Sequence, residues 1–513
     1  MKKILRAESK AAKVQSESLP VMKEEKIFSA SVAVAIIAAI LALNVLLFIL
    51  ASTFNLYIYS PEETDLSLTG ATDSLFSEAI EKKKTVEIFF CASEDEVEDF
   101  DTGSYVLETV RNFQQRYPDF IKINFLNLIT MRDKDGNSVD LDKYTEENEI
   151  ITRGSVIFEC VESGKFKLVT DYTTSSGYSD FYTLNSEGSA ISYDGEEYVA
   201  AMIAWVLRDE QKKAYFTITH SEQVDPSFAK LLTIAGYESD TVNLREAPVP
   251  EDADLLIISN PKNDFETSVD GIATTEIGRI KSYLERGGNL YVCLDPYVKK
   301  LYSLEAMLAE YGLAISETEV DGEVIRDIVR DPVNAITTNG YTLVADHADG
   351  EIATAIKENM DKYSDNDVII REAGALALSG AAEAILVSSS YSTCENGGVV
   401  TRTEGNFPLA AYSSVPAGDG KEGRIFFASS VYMTVASALV TNGYANKDFV
   451  YSVFENVFGV TSLPYGCRSV LYETSTLENL TMSTAHLYTA IVLAVPAVIG
   501  ITGAVIIIRR KNR

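Results

Sequence analysis

Two stretches near opposite ends of the chain carry no charged residue. Residues 27–50 (IFSASVAVAIIAAILALNVLLFIL) are uncharged over 24 positions, and residues 488–508 (YTAIVLAVPAVIGITGAVIII) over 21. About 20 apolar residues cross the hydrocarbon core of a bilayer as a helix, so each run is long enough to span it with some tilt. Pro496 lies inside the second run, where membrane helices tolerate proline better than soluble ones. The sequence therefore predicts transmembrane helices over 27–56 and 487–508, with one large segment between them. The first run is longer than the apolar core of a signal peptide and no Cys follows it closely, which favours an uncleaved anchor.

The flanks orient the pair. Lys2, Lys3, Arg6, Lys10, Lys13, Lys23 and Lys26 precede the first run, and Arg509, Arg510, Lys511 and Arg513 follow the second. Basic flanks stay on the cytoplasmic side. The expectation is a two-pass plasma-membrane protein with cytoplasmic tails over 1–26 and 509–513 and residues 57–486 outside. The chain carries a net charge of −31, and its basic tails leave the external part more acidic still. A surface of that sign excludes nucleic acid as a partner, because phosphate binding needs clustered Lys and Arg.

The external part is long enough for more than one core. After a membrane-proximal connector over 57–84, residues 85–210 follow the order β-α-β-β-β-α. Val86 to Phe90 is an apolar strand, 93–101 an acidic loop, and Tyr105 to Tyr117 a helix by its apolar spacing. Strand 121–128 precedes a polar excursion over 131–150. A hairpin turns at Ser163-Gly164, and a helix spans 195–208. That order predicts a thioredoxin-like domain, although Cys91 stands alone and no redox dithiol exists. Over 211–465 strands and helices alternate. Fully apolar runs such as ADLLIIS (253–259) and helices stopped at Gly236, Gly287 and Gly312 predict an α/β domain with a mostly parallel sheet. Strands at 384–388 and 424–429 extend that sheet, 396–406 and 416–423 read as loops, and a polar stalk over 466–486 leads to the second span.

One region resembles a known family. The helix EEYVAAMIAWVLRDEQ, the strand KKAYFTITHSE, Gly236-Tyr237, Asn260-Pro261-Lys262, Tyr283-Leu284-Glu285-Arg286-Gly287-Gly288 and Leu294-Asp295-Pro296 follow one another. In that order they are similar to the GldG-type auxiliary, substrate-binding subunits of ABC-2-like transport systems. The resemblance covers about residues 80–460 and both anchors. It implies an amidotransferase-like α/β domain and two partners, an ABC-2-type permease and a cytoplasmic ATPase. This chain departs from the family pattern at Thr219, where a Gly often precedes the His-x-Glu, and at Ser429-Ser430.

The candidate ligand-binding residues are His220, Glu222, Asn260 and Asp295. Each follows a predicted strand, and open parallel sheets bind ligands at strand carboxyl ends. The ligand itself is not specified by the sequence. The competing readings are a turn or cap for Asp295-Pro296 and a loop hydrogen bond for His220 and Glu222. Cys293 is the one nominee for a nucleophile, but it lies within an apolar strand without the glycine-flanked turn that exposes such a residue. No metal site and no cofactor are expected, since three His and five scattered Cys make no ligand pattern. No phosphate-binding loop is present and 418–423 (GDGKEG) has the wrong spacing, so ATP hydrolysis would belong to another chain. The reading is a non-enzymatic accessory subunit of an ABC-type system. The alternatives are an envelope scaffold or sensor, and a surface enzyme.

Overall fold

The strand Val86–Phe90 (β1) is apolar at four of five positions because it is buried on both faces. In the computed structural model the described residues are 66–471, 503 and 508–509. Within 66–471 the exceptions are 101–102, 134–135, 137, 146–149, 173–179, 185–189, 267–274, 364–365 and 441–442. The first anticipated span lies outside the described residues, as do the second apart from Gly503 and Ile508 and the basic tails apart from Arg509. Among the described residues no helix is long and apolar enough to cross a membrane. The chain divides into two units, and Asp65–Glu473 is the one that holds both sheets.

Helix α1 (Asp73–Glu81) leads into β1. Where an acidic loop was expected, Glu94–Asp99 forms a short helix, α2. Its start is fixed by Glu96, which accepts hydrogen bonds from the Ser93 backbone N–H (3.0 Å) and hydroxyl (2.9 Å), a capping arrangement that satisfies an otherwise orphaned donor. Helix α3 (Gly103–Arg116) crosses from β1 to the parallel strand β2 (Ile121–Asn127). The short β3 (Arg132–Asp133), β4 (Val156–Cys160) and β5 (Phe166–Val169) complete a sheet of order β3-β2-β1-β4-β5, with β4 antiparallel to β1 and to β5. Ile88 and Phe90 face the main core, while Phe89 and Cys91 face a smaller one with Leu126, Tyr144 and Ile157. The expected β-α-β-β-β-α order is present, with β6 (Tyr182–Leu184) and β7 (Ala190–Tyr193) added before the last helix.

That helix, α4 (Gly195–Leu207), is buried from Gly195 to Val206. A helix apolar on all sides has no solvent face, and α4 packs on β4, β5 and α3 on one side and on the following helix on the other. Beyond it lies a nine-stranded sheet. β8 (Lys212–Thr217), α5 (Pro226–Ala235), β9 (Tyr237–Val242), β10 (Leu255–Ser259), α6 (Glu276–Glu285), β11 (Asn289–Cys293) and α7 (Tyr302–Glu310) alternate as expected. β12 (Thr342–His347), α8 (Glu351–Met360), β13 (Val368–Arg371), β14 (Ala382–Val387), β15 (Pro408–Pro416), β16 (Glu422–Ala428) and α9 (Asn446–Asn456) follow. The order is β13-β12-β14-β15-β16-β11-β10-β8-β9.

Only the five strands from β16 to β9 are parallel to one another; from β13 to β16 every pairing is antiparallel. The sheet is therefore mixed rather than mostly parallel. In the parallel half, successive residues serve opposite faces. Leu255, Ile257, Tyr291 and Phe426 face the core shared with α4, α5 and α9. Leu256, Ile258, Leu290 and Phe427 face α6 and α7. The first sheet and this one share a single apolar cluster through α4. Residues 466–471, expected to begin a stalk, are packed instead: Cys467 is buried and β17 (Val470–Leu471) pairs with β7.

Charges are buried where α4 starts. Asp194 accepts from Lys230 Nζ (2.8 Å), the Thr183 hydroxyl (2.7 Å) and the Ser192 hydroxyl (3.0 Å). Glu197 accepts from Lys447 Nζ (3.0 Å) and the Tyr451 hydroxyl (2.9 Å). Burial opposes ionisation of Asp194, but Lys230 and Lys447 outweigh it and hold the carboxyl down at about 2. Burial pushes Glu197 up against the pull of Lys447. Removing one member of a buried pair leaves an uncompensated charge, which costs roughly 3–5 kcal/mol. Lys447→Met should therefore destabilise the protein by about that amount, and Lys447→Met with Glu197→Gln by clearly less, as read by urea unfolding. Equal losses in both would contradict the pairing.

Candidate functional site

The carboxyl ends of β8, β10 and β11 bring all four sequence-nominated residues together. The backbone leaving β8 is unusual: Thr219 has φ +92° and Ser221 φ +57°, and Asn260, just after β10, has φ +48°. A β-branched residue at positive φ is held there against steric cost. The turn wraps His220 inward, and its side chain is fully buried. Nδ1 lies 3.1 Å from Glu222 Oε1 and Nε2 lies 3.1 Å from Glu276 Oε2, while the ring stacks on Phe265 at 3.8 Å and 14°. Both ring nitrogens face carboxylate oxygens, an arrangement fully satisfied by the doubly protonated ring. Burial lowers the affinity of His220 for its second proton, but Glu222 and Glu276 reverse that and raise it above the ordinary 6.5. Burial likewise opposes the charge on Glu222, and the bonds from His220 bring its carboxyl below the usual range. Glu222 also accepts from the His220 backbone N–H at 2.7 Å.

Lys262 joins the other nominees. Its Nζ donates to Asn260 Oδ1 (2.9 Å) and lies 3.6 Å from Asp295 Oδ2, while its backbone N–H donates to the His220 carbonyl (2.8 Å). Asn260 also donates to Gln223 Oε1 (3.3 Å) and is nearly buried. Asp295 accepts from the Tyr297 N–H (2.9 Å), the turn anticipated for Asp295-Pro296. Lys262 and Asp295 keep side-chain exposures of 31% and 29%, so they form the part of the cluster that solvent reaches. His220 and Glu222 set the turn rather than face solvent.

Sequence reading missed three members. Glu276 sits in the first turn of α6, capped by Thr275, and accepts from the Glu266 N–H (2.8 Å); its acid signature is that of any helix start. Phe265 carries no polar signal. Lys262 stood within Asn260-Pro261-Lys262 but had no assigned role. Cys293 is buried, its thiol 3.6 Å from the Ser259 hydroxyl, and burial pushes its pKa up. A protonated, enclosed thiol is not poised for attack. All five cysteines are free and buried, which agrees with their reading as small hydrophobes. Among the described residues no group of three or more His, Cys, Asp or Glu could hold a metal ion.

No family model matches the chain and no curated protein does. Solved structures are similar over about half of it. The N-terminal domain of mmIFT52 is 16% identical, with a TM-score of 0.35, covering 48% of this chain and 96% of its own. PurLQS from Thermotoga maritima is 12% identical, with a TM-score of 0.26, covering 48% of this chain and 99% of its own. Likeness at these values carries no functional inference. The fold and site define a mixed α/β protein whose polar cluster sits at the carboxyl ends of parallel strands.

Two outcomes follow from this geometry. Replacing Thr219 by Gly removes the steric cost of φ +92°, about 1–2 kcal/mol, against an entropic loss of about 0.5–1 kcal/mol. Thr219→Gly should therefore stabilise the protein modestly, and a lower unfolding midpoint would contradict the strain. The raised His220 pKa means its charged contacts stabilise the fold fully below the ordinary 6.5 and fade as pH rises through the higher folded value. The stability deficit of His220→Gln should accordingly be larger at pH 6 than at pH 9, measured by unfolding at both.

Proposed function

We propose that the chain is a membrane-anchored, non-enzymatic accessory or substrate-binding component of an ABC-type transport system. Its partners in this reading are an ABC-2-type permease and a cytoplasmic ATPase. The observation that carries the reading is where Asp65–Glu473 begins and ends. At the incoming end, the Thr69 N–H and hydroxyl donate to Glu196 Oε1 (2.8 and 2.9 Å). At the outgoing end, Val470 and Leu471 pair with Tyr193 and Ser192. Leu66, Ser67 and Thr69 line one cavity of about 240 Å³ together with Arg468–Leu471. Ends this close together suit a body inserted in the chain between two spans. The uncharged runs, their basic flanks and the resemblance to GldG-type subunits supply the rest.

We read the first sheet as thioredoxin-like, on the order β2-β1-β4-β5 with α3 crossing between the parallel pair, and the second as amidotransferase-like. Substrate contact at the strand carboxyl ends falls to Lys262 and Asp295, positioned by Asn260 and by the His220–Glu222 turn. Fold alone does not assign this role.

Crosslinking in native membranes followed by affinity purification should recover a multi-span permease and an ATPase. Recovery of envelope or surface proteins alone would replace the transport reading with a scaffold or sensor.

A further inference from the structure

The chain holds 75 Asp and Glu against 44 Lys and Arg, so a cation that forms no ion pair is not for want of acids. Three such cations meet at one cavity. It has a volume of about 270 Å³ and is bounded by α1, by the ends of α4 and α5, and by residues 460–462. Lys84, Arg208 and Lys212 all line it. Among the described residues none of the three forms an ion pair. Lys84 Nζ reaches only the Leu207 carbonyl, at 3.4 Å, and Lys212 Nζ only the Gly459 carbonyl, at 3.5 Å. These are long contacts that a better acceptor would displace.

Arg208 is held more firmly. Its Nη2 donates to the Ser462 carbonyl (3.0 Å), while Nη1 is buried without a hydrogen-bond partner. The guanidinium lies directly over Gly236: a Cβ there would fall 1.6 Å from Nη1, and Gly236 has φ +89°. The glycine that stops α5 thus also makes room for the Arg208 head. A guanidinium withdrawn from water without a counterion is costly, and burial lowers its pKa to about 10.

We propose that this cavity binds a small oxyanion of the phosphate class, held by Arg208 with Lys84 and Lys212 on its flanks. Nη2 keeps a second N–H beside the one given to Ser462, enough for one oxygen of such a group, and the two ammonium groups add charge. Lys82 also lines the cavity but is committed to Glu78 at 2.5 Å. Glu78, Asp209 and Glu210 line it too, so the ligand is a compact anion of one or two charges rather than a polyanion. The phosphate can be free in solution or belong to a lipid headgroup. The proposal does not depend on the transport reading.

The test uses the full chain in detergent micelles at low salt, titrated with inorganic phosphate and followed by calorimetry and by the thermal midpoint. Saturable binding with a rise in midpoint is expected. Arg208→Gln should weaken it about tenfold or more, the scale of one charge-assisted hydrogen bond. Because Arg208→Gln also loses a carbonyl contact, the Lys84→Ala/Lys212→Ala double variant is the second arm. It removes two partly exposed side chains and should weaken phosphate binding while leaving the phosphate-free midpoint near wild type. In vesicles, weaker apparent phosphate binding with phosphatidylglycerol than with phosphatidylcholine alone supports the site and assigns a headgroup as its occupant. Equal binding in both supports it with free phosphate. No saturable binding, or binding that both variants leave unchanged, overturns the proposal.

Discussion

The structure depends on a helix with no solvent face. α4 lies between two sheets and is buried from its first residue to its penultimate one, so its acidic first turn is buried as well. The positive end of a helix dipole favours acids there, but burial demands more than a dipole can provide. The extra charge comes from elsewhere in the chain: Lys230 on α5 for Asp194 and Lys447 on α9 for Glu197. Lys447 also donates to the Cys467 carbonyl at 3.2 Å. Adjacent residues of one helical turn therefore hold the two ends of the body, Glu196 through Thr69 and Glu197 through Lys447. Displacing the incoming end leaves Glu196 without Thr69, and displacing the outgoing end takes the Cys467 carbonyl from Lys447.

The polar clusters differ in what they leave open. At the carboxyl ends of the parallel strands, His220 is satisfied on both nitrogens and stacked on Phe265, so its chemistry is spent on holding a strained turn. The exposed pair is Lys262 with Asp295, a cation beside an anion. At the end of α4 the reverse holds: Arg208, Lys84 and Lys212 are bound only to backbone carbonyls. The phosphate-class anion proposed for that cavity would supply a partner that Arg208 lacks, whereas the His220 cluster already holds its own.

Apolar runs and glycine stops made the parallel half legible. LLIIS and NLYVC read as strands buried on both faces, and they are. Gly236 and Gly312 ended their helices as expected, both at positive φ. The antiparallel half was harder for a physical reason. β15 (PLAAYSSVP) uses small and polar residues because its neighbours supply the bulk, so it lacks an apolar signature. The strand Val399–Arg402, which pairs with Thr393–Asn396, read as part of a loop over 396–406, although Asn396-Gly397-Gly398 is a turn signal and both glycines have positive φ. His220, Glu222, Asn260 and Asp295 were nominated from their place after strands, and the fold brings them together. Glu276, 56 residues from His220 in sequence, could only be found once the chain had folded.

The proposed transport role requires the body closed by α4 to stand outside the membrane and the basic tails inside. Because all five native cysteines are buried, a membrane-impermeant maleimide reports only introduced ones. The direct measurement is labelling of Ser163→Cys, at the exposed tip of the β4–β5 hairpin, and of Ser9→Cys, in the N-terminal tail, in intact cells. The proposed topology gives labelling at 163 in intact cells and at 9 only after permeabilisation. Labelling at 9 but not at 163 before permeabilisation would contradict it.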